Sequence, residues 1–523
     1  MTVEIYDTTL RDGSQGEGVS YTVADKIRIA ERLDQFGISF IEGGWPGSNP
    51  KDAEFFERTR DREFRHSKLT AFGSTRRAGK TPEEDPNLQA LIACGAEVCT
   101  IFGKTWTLHV TEVLRTELDT NLLMIEESVR FLAQQGRTVL FDAEHFFDGY
   151  RADPGYAVEA LLAARRGGAR TLVLCDTNGG SLPWQIEEIV RDVHRKVDHP
   201  LGIHAHDDTG CGVANSLAAV RGGAVHVQGT MNGIGERCGN ANLSVIIPNL
   251  ELKLGLRALP PGHLKELTDV ARFVADVANL SLESGQPYVG RSAFAHKGGV
   301  HVSAMRRNAD SYQHIDPSLV GNEMRVVVSD LSGLSNVLSK AEELGVSVGE
   351  GADRKALDEI KDAEARGLSY EGAEASVSLL LRRKNPEYTP PFQLLDYQAM
   401  VGRRQGTDFI EATVRLSIDG EVAHTVGDGN GPVGALDSAL RKALTPHFPQ
   451  LASVHLADYK VRILDSNSGT AAITRVLIDS RDEEGTWSTV GASANIIDAS
   501  MAALIDAFEY ALTRKKNSSS SKV

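Results

Sequence analysis

The stretch VEIYDTTLRDGSQGEGVSYTVADKIRIAERLDQFGISFIEGGW, residues 3–45, reads as strand, helix, strand. VEIYDTTL and SFIEGGW are β-rich runs. Between them Val23, Ile27, Ala30 and Leu33 recur at three- and four-residue spacing, the period of one buried helix face. Thr22 stands where a cap is needed, and Gly37 where the helix must stop. Six further β-rich runs follow, KLTAFGS, EVCTIFGK, TVLFDAEHF, TLVLCDTNG, LGIHAHDD and VHVQGTMNG, each separated from the next by helical periodicity. Strands alternating with helices imply parallel pairing, and eight such units over ~250 residues match a closed (β/α)8, or TIM, barrel. An open doubly wound sheet is the rival. It rarely carries eight units, and no G-x-G-x-x-G follows the first strand.

At 523 residues the chain exceeds one core. The barrel is expected over 1–261, a helical subdomain over 262–385, and a linker over 386–394, where Pro386, Pro390 and Pro391 cluster. A third, α+β domain is expected over 395–514, and a polar tail over 515–523 reads as disordered. The third domain holds an internal repeat. TVGDGNGPVGALDSAL from Thr425 and TVGASANIIDASMAAL from Thr489 match without gaps, each reading as strand, Gly-rich turn and helix. Turns meeting helix N-termini suit a small anion, which makes Gly427, Asp428 and Asn495 candidate regulatory residues; tight turns alone also explain the glycines. A repeated domain also points to a homodimer.

Composition excludes several functions. Hydrophobic content of 41% with 24% charged residues is that of a globular protein, and no apolar run reaches the ~20 residues of a spanning helix, so no membrane role is expected. A net charge of -15 without clustered Lys and Arg argues against nucleic acid. Five cysteines without a C-x-x-C argue against a disulfide framework or structural zinc. The opening MTVEIYDTTL has no basic, apolar leader, so the expected setting is cytoplasmic.

Chemistry concentrates where barrel strands end. His204 and His206 form H-x-H on the seventh run, and the two-residue period of a strand aims both imidazoles to one side. Alone, such a pair also fits core histidines. D-T-T-L-R-D-G, residues 7–13, adds Asp12 as a hard carboxylate and Arg11 as a fork of donors for an anion or a developing oxyanion. Glu144 ends the fifth run as a rim carboxylate, and Thr177 follows the sixth, able to hydrogen-bond a substrate carboxylate. In GIGERCGNANL, Asn240 offers a neutral oxygen to a metal. These borderline ligands suit a divalent cation, Mn2+, Mg2+, Zn2+ or Fe2+. Such a centre can chelate a 2-oxo acid and polarise its ketone, which is carbon–carbon bond chemistry. Phe72 and Phe102 can narrow an oxo-acid pocket, although core packing explains them as well.

Together, D-T-T-L-R-D-G, H-A-H-D-D (204–208) and G-E-R-C-G-N-A-N (235–242) resemble the acyl-CoA-dependent Claisen synthases related to isopropylmalate and homocitrate synthases, over nearly the whole chain. Residues 6–52 resemble the branch that condenses pyruvate with acetyl-CoA. The resemblance implies Asp12, His204, His206 and Asn240 as metal ligands, Arg11 as the oxyanion-stabilising group and Glu144 as a catalytic carboxylate. It gives His301, in H-K-G-G-V-H, to the acetyl-CoA end of the site, and it implies a C-terminal regulatory domain at a dimer contact with isoleucine as effector. Asn322, Glu323 and Met324 stand where the isopropylmalate branch carries a tyrosine, so no tyrosine role carries over. Alternatives sharing the barrel and H-x-H are synthases of larger 2-oxo acids, acyl-CoA lyases, biotin-dependent carboxyltransferases and a non-catalytic amino-acid sensor. The lyases and carboxyltransferases leave the repeat domain unexplained, and no methionine is followed by lysine as a biotinylated M-K-M segment would require.

Overall fold

The computed structural model describes residues 2–329, 332–343, 352–365, 367–404, 407–464, 469 and 471–514. The tail over 515–523, expected to be disordered, lies outside the described residues. Eight strands, β1 (Glu4–Asp7), β2 (Phe40–Gly44), β3 (Lys68–Ser74), β4 (Val98–Lys104), β5 (Thr138–Glu144), β6 (Thr171–Asp176), β7 (Leu201–Ala205) and β8 (His226–Gly229), close in sequence order into a barrel. Closure pairs β1 with β8 in parallel, Glu4 opposite His226 and Asp7 opposite Gly229. The barrel expected from the alternation is therefore present.

Local chemistry sets each unit. In helix Val23–Phe36 the Thr22 hydroxyl accepts from the Asp25 N–H at 3.1 Å, and the Asp25 carboxylate accepts from the Thr22 N–H at 3.0 Å. Gly37 ends the helix at φ 97°, a left-handed conformation that costs glycine little. Val23, Ile27, Ala30 and Leu33 are buried, and β2, β6 and β7 are buried at every position, as strands covered on both faces must be. Inside the barrel Tyr6, Phe40, Val98 and Leu140 form an apolar floor. The next inward positions, two residues on, are polar: Thr8, Glu42, Thr100, Asp142 and Gln228.

The chain forms two compact units, Met1–Phe294 with Ile315–Glu323, and Ala295–His314 with Met324–Val523. This differs from a helical subdomain running from 262 to 385. Helix Leu267–Val277 puts Leu267, Val270, Ala271 and Val274 into the barrel's own core, because its apolar stripe finds cover beside helix Val23–Phe36. Thr268 Oγ1 donates to Val320 O at 2.7 Å and ties segment 315–323 to that helix. In the second unit helices Gly299–Arg307, Leu334–Glu343, Ala352–Ala365 and Glu374–Arg383 precede two three-stranded antiparallel sheets. Strands Gln393–Arg404, Thr407–Ile418 and Glu421–Asp428 form one, and His455–Ile463, Thr474–Asp482 and Gly485–Ser493 the other. Helices Pro432–Leu444 and Ile496–Thr513 follow them and share a core of Val414, Leu440, Val476, Ile478, Leu504 and Phe508.

The internal repeat is structural. Thr425 Oγ1 donates to Ala439 O and Thr489 Oγ1 to Ala503 O, both at 2.8 Å. Gly427 and Gly491 occupy the matching strand position, where the helix backbone lies directly on the strand: a Cβ at Gly427 would come 2.3 Å from Ala439 N, and one at Gly491 2.0 Å from Ala499 O. Among the described residues no helix is long and apolar enough to cross a membrane.

Candidate active site

β7 ends at Ala205, so His204 faces inward from the strand and His206 follows at its rim. Asp12 lies in the turn after β1, and Asn240 in the loop after β8. His204 Nε2 is 3.2 Å from Asp12 Oδ2 and 3.3 Å from His206 Nε2, and all four side chains are buried. Asn240 Nδ2 donates to Asp12 Oδ2 at 3.0 Å, while Asn240 Oδ1 and His206 Nδ1 have no hydrogen-bond partner among the described residues. Half a turn of the amide would bring that orphaned oxygen to the same focus. Two imidazole nitrogens and a carboxylate, all buried and converging on one point, form a donor set that fits a divalent metal.

Burial and neighbouring charge set the ionisation of each of these groups. Burial opposes ionisation of Asp12, but the charge of Arg11 and the contact with His204 outweigh it and hold the carboxyl far below the usual range. Burial also disfavours charge on His204; the Asp12 hydrogen bond and charge prevail and raise it. His206 is driven down to about 4 by burial and by the charge of His204, so it presents a neutral imidazole.

Arg11 is held from below. Its Nε donates to the fully buried Glu42, its Nη1 is 3.1 Å from Asp12 Oδ1, and its guanidinium carbon lies 3.8 Å over the Phe72 ring. Glu42 also accepts from Thr8 Oγ1 at 2.9 Å and from the Tyr6 hydroxyl. Arg11 and Asp12 thus form an ion pair that leaves the guanidinium at the cavity wall. The cavity there, of about 250 Å3, is lined by Arg11, Asp12, Asp142, Glu144, Thr177, His204 and His206 on the polar side. Phe72 and Phe102 stack at 5.5 Å with Trp45 edge-on to both at 5.7 Å, and these three form its aromatic side. Both phenylalanines therefore line the cavity.

Glu144 pairs with Lys104, which the register of β4 and β5 sets directly beside it. Thr177 Oγ1 accepts from the His145 N–H at 2.9 Å. Arg237, in the left-handed region at φ 57°, grips Asp208 at 2.8 and 3.0 Å and the Thr177 carbonyl at 2.9 Å, fixing the Asn240 loop across the rim. His301 lies in the second unit on helix Gly299–Arg307, stacked on Tyr312 at 4.3 Å. Of the three regulatory candidates, Gly427 is a packing position, Asp428 is exposed and 3.5 Å from Lys442, and Asn495 caps helix Ile496–Thr513, accepting from Ile497 N–H at 2.9 Å. Sequence reading missed Glu42, Trp45, Lys104, Asp142 and Gln228. A signal existed for three: Glu42, Asp142 and Gln228 are polar side chains at inward positions of barrel strands.

Three family profiles match consecutive parts of the chain: HMGL-like over residues 2–274, homocitrate synthase post-HMGL domain-like over 288–367, and LeuA allosteric (dimerisation) domain over 371–512. The chain is 51% identical to the (R)-citramalate synthase of Geobacter sulfurreducens, over 99% of each chain. It is 30% identical to a probable 2-isopropylmalate synthase of Methanopyrus kandleri, over 98% of this chain and 99% of that one. Among solved structures, hydroxymethylglutaryl-CoA lyase of Pseudomonas aeruginosa is 20% identical with a TM-score of 0.45, covering 56% of this chain and 96% of that one. With an HMGL-like barrel whose rim gathers Arg11, Asp12, His204, His206 and Asn240, and with half its residues shared end to end, the chain belongs to the (R)-citramalate synthase family.

Proposed function

We propose that this chain condenses acetyl-CoA with pyruvate, giving (R)-citramalate and CoA. The observation that carries the reading is the convergence of Asp12, His204 and His206 beside Arg11, beneath an aromatic wall that leaves room for a small acid. Asp12, His204, His206 and Asn240 would hold a divalent cation such as Mn2+, Mg2+ or Zn2+, which when bound supplies Lewis-acid polarisation of the oxo acid's ketone. Thr177 takes the pyruvate carboxylate. A base withdraws a proton from the acetyl methyl, and Glu144, which lines the cavity and pairs with Lys104, is the proposed carboxylate for it. The new bond joins that methyl carbon to the ketone carbon, and the ketone oxygen takes up a proton. While charge develops on that oxygen, Arg11 stabilises it; Glu42 and the Phe72 ring keep the guanidinium aimed without reorganisation. Water then cleaves the thioester and CoA leaves as the thiol, which makes the overall step effectively irreversible and suits a committed, feedback-controlled enzyme.

Trp45, Phe72 and Phe102 support pyruvate over larger 2-oxo acids, since each added methylene must fit against three rings; a pocket gains or loses ~1 to 3 kcal/mol per methylene. The matched LeuA allosteric (dimerisation) domain supports a homodimer and end-product control, for which isoleucine is the proposed effector. The test is a thiol-release assay with acetyl-CoA, Mn2+ or Mg2+, and a panel of pyruvate, 2-oxobutanoate and 2-oxoisovalerate, each with and without isoleucine. Pyruvate should be preferred at least about tenfold, and Phe102→Ala should narrow that preference. No CoA release with pyruvate sinks the proposal. His301→Ala should raise KM for acetyl-CoA and leave KM for pyruvate unchanged; the reverse pattern removes His301 from the acetyl-CoA end.

A further inference from the structure

Beneath the metal-ligand cluster lies a hydrogen-bonded chain that the reaction as written does not use. Strand register sets Gln228 on β8 directly opposite His204 on β7. Gln228 Oε1 is 2.9 Å from His204 Nδ1, and Gln228 Nε2 donates to Asp142 Oδ1 at 3.0 Å. Gln228 is fully buried, and Asp142 nearly so.

The chain has a direction. Asp142 Oδ1 accepts the amide N–H, so the end of Gln228 that faces it is nitrogen. The opposite end is then an oxygen, which only accepts, so His204 Nδ1 must carry the ring proton. Nε2, the nitrogen that faces Asp12 and His206, is then the one whose proton a cation can replace. With the amide reversed, Nε2 would hold the ring's only proton and could not coordinate. Partners behind a metal-binding histidine commonly set its tautomer in this way, and losing one typically costs ~10 to 100-fold in metal affinity.

We propose that Asp142 and Gln228 are positioning residues, a directional relay that holds His204 in the tautomer able to bind a divalent cation. The proposal rests on reading Asp12, His204 and His206 as metal ligands. Its chemistry also predicts which replacement is tolerated. Leu at 228 removes the acceptor. Glu at 228 keeps an acceptor toward His204, and one proton shared between the two carboxyls can bridge it to Asp142.

The experiment titrates Mn2+ into metal-stripped full-length protein by calorimetry and by loss of the free-ion paramagnetic resonance signal, with circular dichroism to verify folding. Gln228→Leu should weaken Mn2+ binding ~10 to 100-fold, and Gln228→Glu should stay within about threefold of the parent. Asp142→Asn, which presents either donor or acceptor and so sets no direction, should fall between, at about tenfold weaker. It also carries the test should Gln228→Leu not fold. Parent-like affinity in Gln228→Leu or in Asp142→Asn overturns the relay. So does equal weakening in Gln228→Leu and Gln228→Glu, the mark of packing alone. Failure of the parent protein itself to bind Mn2+ would instead overturn the metal reading on which the relay stands.

Discussion

Arg11 shows how much one side chain is asked to do. It neutralises Asp12, donates to Glu42, lies on Phe72 and still faces the cavity. A lysine cannot fork onto these oxygens, because its ammonium is a point charge on a flexible stem. Arg11→Lys should therefore lower kcat ~100- to 1,000-fold with little change in KM for pyruvate, the signature of a contact made chiefly in the transition state. Steady-state kinetics decide it: a change confined to KM would mean that Arg11 only binds substrate. Asp7, fully buried on β1, makes a different point. Burial pushes its carboxyl up to about 7, outweighing the hydrogen bonds from Thr9. Between its ordinary value and about 7 the folded chain holds a proton that the unfolded chain releases. Its contribution to stability is thus complete at low pH and lost as pH rises through neutrality. Asp7→Asn cannot ionise, so its thermal midpoint relative to the parent should climb by a few degrees between pH 5 and pH 8. A pH-independent difference would show that the buried carboxyl does not titrate.

At the scale of elements, the barrel strands were legible because alternation and caps are local. Thr22, Asp25 and Gly37 mark their helix in sequence and in structure alike. The repeat was legible too, but the role of its glycines was not. Gly427 and Gly491 read as turn residues near a helix start; they lie in strands, where the helix backbone comes too close for a side chain. Gly427→Ala or Gly491→Ala should each destabilise the second unit by ~1 to 3 kcal/mol through overpacking. Gly434, in the first turn of helix Pro432–Leu444, meets among the described residues only Gly429 Cα, at 3.9 Å from an added Cβ, and should behave oppositely. Gly434→Ala replaces a first-turn helical glycine and should stabilise by up to ~1 kcal/mol. Denaturant unfolding of the variants measures both signs, and a destabilising Gly434→Ala would contradict this account.

For the whole molecule, the LeuA allosteric (dimerisation) match over 371–512 predicts self-association. Sedimentation should give a mass near twice the 56.5 kDa of one chain, and a chain ending before residue 371 should sediment as a monomer. A full-length monomer at micromolar concentration would overturn the dimer. The boundary expected at residue 261 shows where sequence reading stops. The stripe of Leu267, Val270 and Val274 was visible as a helix face, yet no periodicity says which surface it covers, and it covers the barrel.

Sequence alone determined the eight-strand alternation, the H-x-H pair, the Arg11–Asp12 pair and the internal repeat, because each is a matter of pattern read along the chain. Only the closed barrel decided that Asp12, His204, His206 and Asn240 share one focus, that Lys104 lies beside Glu144, and that Gln228 and Asp142 stand behind His204. Those neighbours come from strands far apart in the chain. Their proximity is set by strand register and barrel closure, and short-range pattern carries neither.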